Sequence, residues 1–209
     1  MKKILLVRHG TTDWVDQHIL HGITDIPLNE NGLRQAREAA EALKSISARN
    51  LYSSPLQRCL QTAEKIGEQT GLKPIPLEGL KELNFGWLEG RPFRDHSSQD
   101  FSYLIKLYDQ LKHRVVRALS GEPIRKFHRR IMADWRHILD ENPEGTVIVV
   151  GHSAVINNIL IHYFGKNFPK GHTYYAMSPG SINEIVIDDQ ENAKLVRLND
   201  RAHLSEWKH

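Results

Sequence analysis

One cysteine, Cys59, stands in a chain of 209 residues, so no disulfide can form within it. Lack of disulfides suits a reducing compartment, and the sequence reads as cytoplasmic. Nowhere does the chain carry the roughly 20 consecutive apolar residues that a membrane span needs, so no membrane partner is expected. The opening MKKILLV places two lysines before a short apolar run, but that run is far shorter than the apolar core of a secretory leader. Charge of one sign is also scarce. Lys and Arg number 28 against 25 Asp and Glu, leaving +3. That excess is too small to indicate nucleic acid, though it suits a protein that collects small anions. Internal repeats and low-complexity segments are absent. What remains is ordinary for a globular chain: 40% hydrophobic and 25% charged residues, in a length that can bury a full core without staples.

Against this plain background, residues 4–12 (ILLVRHGTT) are distinctive. Four apolar residues predict a buried strand over about 3–8 that empties into Arg8, His9 and Gly10. Ligands of open α/β sheets gather where strands end, and a glycine there lets the backbone turn and approach a ligand closely. A loop to about Leu28 follows. Helix is expected over 30–47, rich in Ala, Glu, Leu and Arg. A short strand is expected at 49–54, then a helix to about Thr70 with Pro55 in its first turn. KPIPLE at 73–78 reads as a short strand interrupted by prolines. Residues 80–98 read as loop, and 101–119 as helix from apolar spacings of three and four. Another helix spans about 124–140. TVIVVG at 146–151 is a second buried strand, running straight into His152, with helix over 153–164 and strands at about 182–188 and 194–198. Alternating strands and helices predict an α/β protein: a three-layer α/β/α sandwich with a mostly parallel central sheet and a small helical cap. A single domain over 1–209 is expected, with the cap inserted at about 91–125.

Two apolar strands thus end in histidine, at His9 and at His152. Parallel neighbours in one sheet would bring both imidazoles out at the same edge. SSPLQRCLQTA at 53–63 adds Arg58 one turn into a helix, where the helix N-terminus and the guanidinium fork both favour phosphate oxygens. LKELNFGWLEG at 80–90 adds Glu82. Two His, two Arg and one Glu make a coherent set for phosphoryl chemistry. A neutral imidazole can attack phosphorus and carry the phosphoryl group. Guanidiniums and a second imidazole can hold the equatorial oxygens. A carboxylic acid can protonate the leaving oxygen. Nothing in the set requires a metal or another cofactor.

These motifs carry a resemblance. RHG with Thr11 and Thr12, HGITDIPLNENGLRQA at 21–36, the two motifs just quoted, and VVGHS at 149–153 occur in order. Together they resemble the histidine phosphatase superfamily, in the branch of cofactor-dependent phosphoglycerate mutases and their phosphatase relatives, over about residues 3–188. The resemblance implies His9 as the phosphorylated nucleophile. It implies Arg8, Arg58 and His152 as the phosphate pocket and Glu82 as proton donor, then as base for water. It also implies substrate contacts from His21, Gly22 and the backbone after His152, including Ser153. The chain departs from many relatives at Val15, where they carry an asparagine, and at Ser153, where they often carry glycine.

The mutases usually read Glu-Arg-His-Tyr at the third motif, where this chain has Glu82, Leu83, Asn84 and Phe85. The arginine that could bind a substrate carboxylate is missing, which favours a phosphatase acting on small phosphate esters. Phosphoglycerate mutase and alpha-ribazole phosphatase activities are the enzymic alternatives, and an inactive phosphate-binding or protein-interaction module is the non-enzymic one. Intact His9, Glu82 and His152 speak against the last. His18 and His21 lack a carboxylate at ligand spacing and are not expected to bind metal. Arg125, Lys126, His128, Arg129 and Arg130 are expected to form a solvated helix face.

Overall fold

The computed structural model describes residues 1–92, 121–165, 175 and 177–205. Its strands are β1 (Lys2–Arg8), β2 (Ala48–Ser53), β3 (Pro74–Pro76), β4 (Gly145–Gly151), β5 (Ile182–Ile187) and β6 (Ala193–Asp200). They form one sheet in the order β3-β2-β4-β1-β5-β6. The first four of these neighbours run parallel, while β5 is antiparallel to both β1 and β6. The helices among the described residues are α1 (Asp13–Asp16), α2 (Glu30–Leu43), α3 (Gln57–Thr70), α4 (Ile124–Glu141) and α5 (Ser153–Phe164). The expected helix at 101–119, and most of the expected cap at 91–125, lie outside the described residues.

The sandwich is built from side chains that alternate across the sheet. In β1, Ile4 and Leu6 face one cluster with Phe127, Ile131, Trp135 and Ile138 of α4 and Val155, Ile156 and Ile159 of α5. Leu5 and Val7 face the other, with Ala39, Ala40 and Leu43 of α2 and Cys59, Ala63 and Ile66 of α3. A central strand buried on both faces therefore reads as a continuous apolar run, as in β1 and β4. Each such side chain contributes about 2 kcal/mol when fully buried, which fixes β1 and β4 at the centre of the molecule.

Helix ends show where local chemistry sets boundaries. Asn29 caps α2 by accepting from the Gly32 N–H at 2.9 Å. This helix stops at Leu43 rather than at 47, and Ile46 turns back so that its N–H reaches Leu43 O at 2.9 Å. Ile46 thereby packs on the Leu5 cluster. Pro55 lies before α3 rather than in its first turn, because Leu56 occupies the N-cap. Gly71, at φ 74°, ends α3 in the left-handed conformation that glycine takes without a Cβ clash.

Candidate active site

β1 and β4 pair in parallel with Arg8 opposite Gly151, so both chains leave the sheet side by side. The His9 N–H donates to Gly151 O at 3.0 Å. The His9 and His152 rings then meet edge to face with centroids 5.1 Å apart. His21 approaches His9 from another side at 6.2 Å. The two strand-end histidines and the loop histidine thus surround one point at the carboxyl ends of the parallel strands.

The tautomer of His9 follows from its partner. Its Nδ1 lies 2.7 Å from Gly10 O, and a carbonyl can only accept. The proton therefore sits on Nδ1, and the Nε2 lone pair is available. His152 is held differently, with Nε2 2.8 Å from Ser54 Oγ and 3.4 Å from Cys59 Sγ. Burial pushes the Cys59 thiol up to about 12, so it stays a neutral thiol.

Arg58 is fully buried and spans the gap between α3 and the 22–24 loop. Its Nη2 donates to Gly22 O at 2.6 Å and its Nη1 to Thr24 O at 2.9 Å. Its Nε has no hydrogen-bond partner among the described residues. A buried guanidinium N–H left in this state suits an anionic ligand. Arg8 donates from Nη1 to Met177 O. The same loop is fastened from below by Glu89, whose Oε1 accepts from Ile23 N at 3.1 Å and from Phe85 N at 2.9 Å. Gly22 also lies against Leu83, since a Cβ there would come within 2.0 Å of Leu83 O. The segment carrying His21 and the segment carrying Glu82 are therefore one packed unit.

Glu82 is buried beside the start of α5. Its Oε1 accepts from Leu83 N at 2.9 Å and its Oε2 from Ala154 N at 3.3 Å. Burial raises its pKa above the ordinary carboxylate range, with those N–H groups and Arg58 pulling the other way. For His9, burial and then Arg58 and Arg8 hold the pKa well below the ordinary imidazole value. His152 is lowered in the same way, by burial and then Arg58, and His21 falls to about 3. The site holds two guanidinium charges, three imidazoles held toward the neutral form and a carboxyl whose pKa is raised toward the protonated form. Such a site can bind a phosphate, present a nucleophilic nitrogen and donate a proton.

The structure brings His9, Arg8, Arg58, His152, His21 and Glu82 together, with Gly22 at the edge of the cluster. Ser153 opens α5, and the next backbone N–H is the one that reaches Glu82. Val15 sits on α1, a single helical turn where loop is expected from the sequence, capped by Thr12 Oγ1 at 3.2 Å from Val15 N. Gly10 also has a packing reason to be small. A Cβ there would meet Gly32 O at 2.3 Å, so the glycine is needed for contact with α2. Arg130 also differs from expectation. It is not a solvated cation but lies half-buried against the Glu82 segment. Its place next to Ile131 and three residues after Phe127, both in the buried stripe of α4, is the signal that marked it. Among the described residues, no group of three or more His, Cys, Asp or Glu is arranged to hold a metal, and no helix is long and apolar enough to cross a membrane.

A histidine at a parallel strand end, ringed by guanidiniums, further imidazoles and a buried carboxyl, is an arrangement suited to phosphoryl chemistry. The chain belongs to the histidine phosphatase superfamily (branch 1), which it matches over residues 4–201. It is similar to the uncharacterized phosphatase PhoE of Bacillus subtilis (strain 168), at 33% identity over 165 residues covering 79% of each chain. Among solved structures it is similar to a phosphoserine phosphatase mutant from Entamoeba histolytica in complex with phosphoserine. That match has a TM-score of 0.77 at 28% identity, over 98% of this chain and 100% of that one. A phosphoglycerate mutase from Bacillus anthracis str. Sterne has the same TM-score, 0.77, at 26% identity, over 96% of this chain and 94% of that one.

Proposed function

We propose that the protein hydrolyses small phosphomonoesters through a phosphohistidine at His9. The observation that carries this reading is the His9 hydrogen bond to Gly10 O, which leaves Nε2 as a lone pair among Arg8, Arg58, His21 and His152. His152 is the weaker candidate for nucleophile, because its Nε2 is already engaged by Ser54. In the first step the His9 Nε2 lone pair forms a bond to phosphorus. The ester P–O bond breaks, and the leaving oxygen takes the proton of Glu82. In the second step Glu82, now a carboxylate, accepts a proton from water as that water attacks phosphorus. The P–N bond breaks, free phosphate leaves, and neutral His9 and protonated Glu82 return. Arg8 and Arg58 supply the positive charge that offsets the transferring group, so the cycle is assigned no metal and no cofactor.

Hydrolysis is favoured over mutase chemistry by the residues after Glu82. Leu83 and Phe85 are buried in the α4 and α5 cluster, so no cation stands there for a substrate carboxylate. The relatives named for phosphoserine and phosphoglycerate support a small phosphorylated acid or alcohol as substrate class. Cys59 is a free thiol, and we assign the protein to the reducing cytoplasm. The test is phosphate release from an aryl phosphate in excess EDTA, measured for the wild type and His9→Ala. Turnover that resists EDTA and disappears in the variant is expected. Turnover that persists in His9→Ala would overturn the assignment of the nucleophile.

A further inference from the structure

The general acid of this site hangs from a device on α4. Arg130 has five guanidinium N–H donors available, and five contacts are formed. Nε and Nη2 donate to Glu122 Oε1 at 2.9 Å and Oε2 at 2.8 Å. Nη1 donates to Gly79 O at 2.8 Å and Lys81 O at 2.6 Å, and Nη2 also to Glu82 O at 2.8 Å. One turn further along α4, Asp134 Oδ2 accepts from Gly79 N at 2.6 Å. The Arg130 guanidinium also lies over the Phe127 ring, 4.8 Å from its centroid. Glu122 is buried, and the neighbouring Gly121 leaves no room for a Cβ against the Asn84 side chain. The whole 79–84 segment is therefore clamped from α4 and from the chain that leads into it.

This is more than a half-buried arginine needs. A guanidinium that only required solvation could turn its outer nitrogens to water, and it does not. The geometry points to Arg130, held flat by Glu122, as the positioning residue for Glu82. It pins the Glu82 backbone, while Leu83 N and Ala154 N orient the carboxyl. Arg130 touches neither phosphate nor leaving group in this account. It acts through the peptide that carries the acid. The inference rests on the proposed role of Glu82 and adds a second residue, far along the chain, on which that role depends. Lysine cannot replace it, since a single ammonium has three donors and no planar fork.

The test is a series of phosphate esters from nitrophenyl to alkyl, run on the wild type, Glu82→Gln, Arg130→Met, Arg130→Lys and Glu122→Gln, with melting temperatures alongside. Activated esters need little protonation of the leaving oxygen, and alkyl esters need it fully. Glu82→Gln should lose about 100-fold more rate on alkyl than on nitrophenyl esters, within the usual range for a general acid. The Arg130 variants should show the same leaning toward alkyl esters at about 10-fold, and Arg130→Lys should not rescue it. If Arg130→Met does not fold, Arg130→Lys and Glu122→Gln carry the comparison. Equal losses across the series in the Arg130 and Glu122 variants, beside a steep Glu82→Gln, would overturn the positioning role and leave Glu82 in place. A flat series for Glu82→Gln would overturn both.

Discussion

At the scale of the residue, the site is a case of burial deciding protonation. His9, His21 and His152 would each carry charge in mildly acidic water, yet desolvation and two arginines keep them neutral. Glu82 is pushed the other way by the same burial. Two consequences follow for pH. Turnover of alkyl esters should decline as pH rises through the elevated Glu82 value, because the acid loses its proton. Glu82→Gln should lack that alkaline limb. No limb from His9 protonation should appear near the ordinary imidazole value of about 6.5, and profiles of kcat/KM for both proteins check this. Stability has its own sign. A histidine whose folded pKa is depressed favours the fold fully above about 6.5 and loses that contribution as pH falls toward the folded value. From pH 7 to pH 5 His21, whose folded value is about 3, costs about 2 kcal/mol, and His9 and His152 act in the same direction, so the melting temperature should fall over that interval. His21→Asn should fall less steeply, and an unchanged slope would contradict the assignment.

At the scale of the element, the close approach of α2 to the chain after β1 sets the position of His9. Gly10 and Gly32 face each other across it. A Cβ on Gly32 would lie 2.0 Å from Thr11 O, and one on Gly10 would lie 2.3 Å from Gly32 O. Two effects compete in Gly32→Ala. Alanine improves helix propensity by about 1 kcal/mol, while the backbone it strikes must move, and overpacking costs about 1–3 kcal/mol. The carbonyl has little freedom, since Thr11 N is tied to Gln35 Oε1 at 2.8 Å. Gly32→Ala should therefore lower both melting temperature and kcat/KM. A higher melting temperature with full activity would show that the contact is slack.

The elements themselves were legible wherever a pattern was strong. β1 and β4 announced themselves as apolar runs, α2 by its Ala, Glu, Leu and Arg content, and both histidines by standing at strand ends. α1 was missed because a single capped turn has too few residues for periodicity. Glu89 and Arg130 were missed for another reason. Each spends its side chain largely on backbone groups tens of residues away, and such partners are not written in local sequence; only the place of Arg130 beside the apolar stripe of α4 marked it as less than fully solvated. Ser54 lay inside a quoted motif, but only the parallel pairing of β2 with β4 brings it to His152.

At the scale of the whole molecule, topology does what no single segment can. The order β2-β4-β1 places three parallel strands together, so Ser54, His152 and His9 emerge at one edge from positions far apart in sequence. α3 brings Arg58 to that edge, and the 79–89 segment, clamped to α4, closes it with Glu82. The small net charge of +3 is then less informative than its local arrangement, with the guanidiniums of buried Arg58 and half-buried Arg8 gathered at one edge of the sheet. The central claim is a covalent phosphoenzyme at His9. The most direct measurement is rapid quenching of the wild type during turnover of an aryl phosphate, followed by peptide mass spectrometry under alkaline conditions. A phosphoryl group on His9, stable to alkali and lost in acid, is the result this account predicts. An active enzyme that carries the group on another residue, or on none, would contradict it.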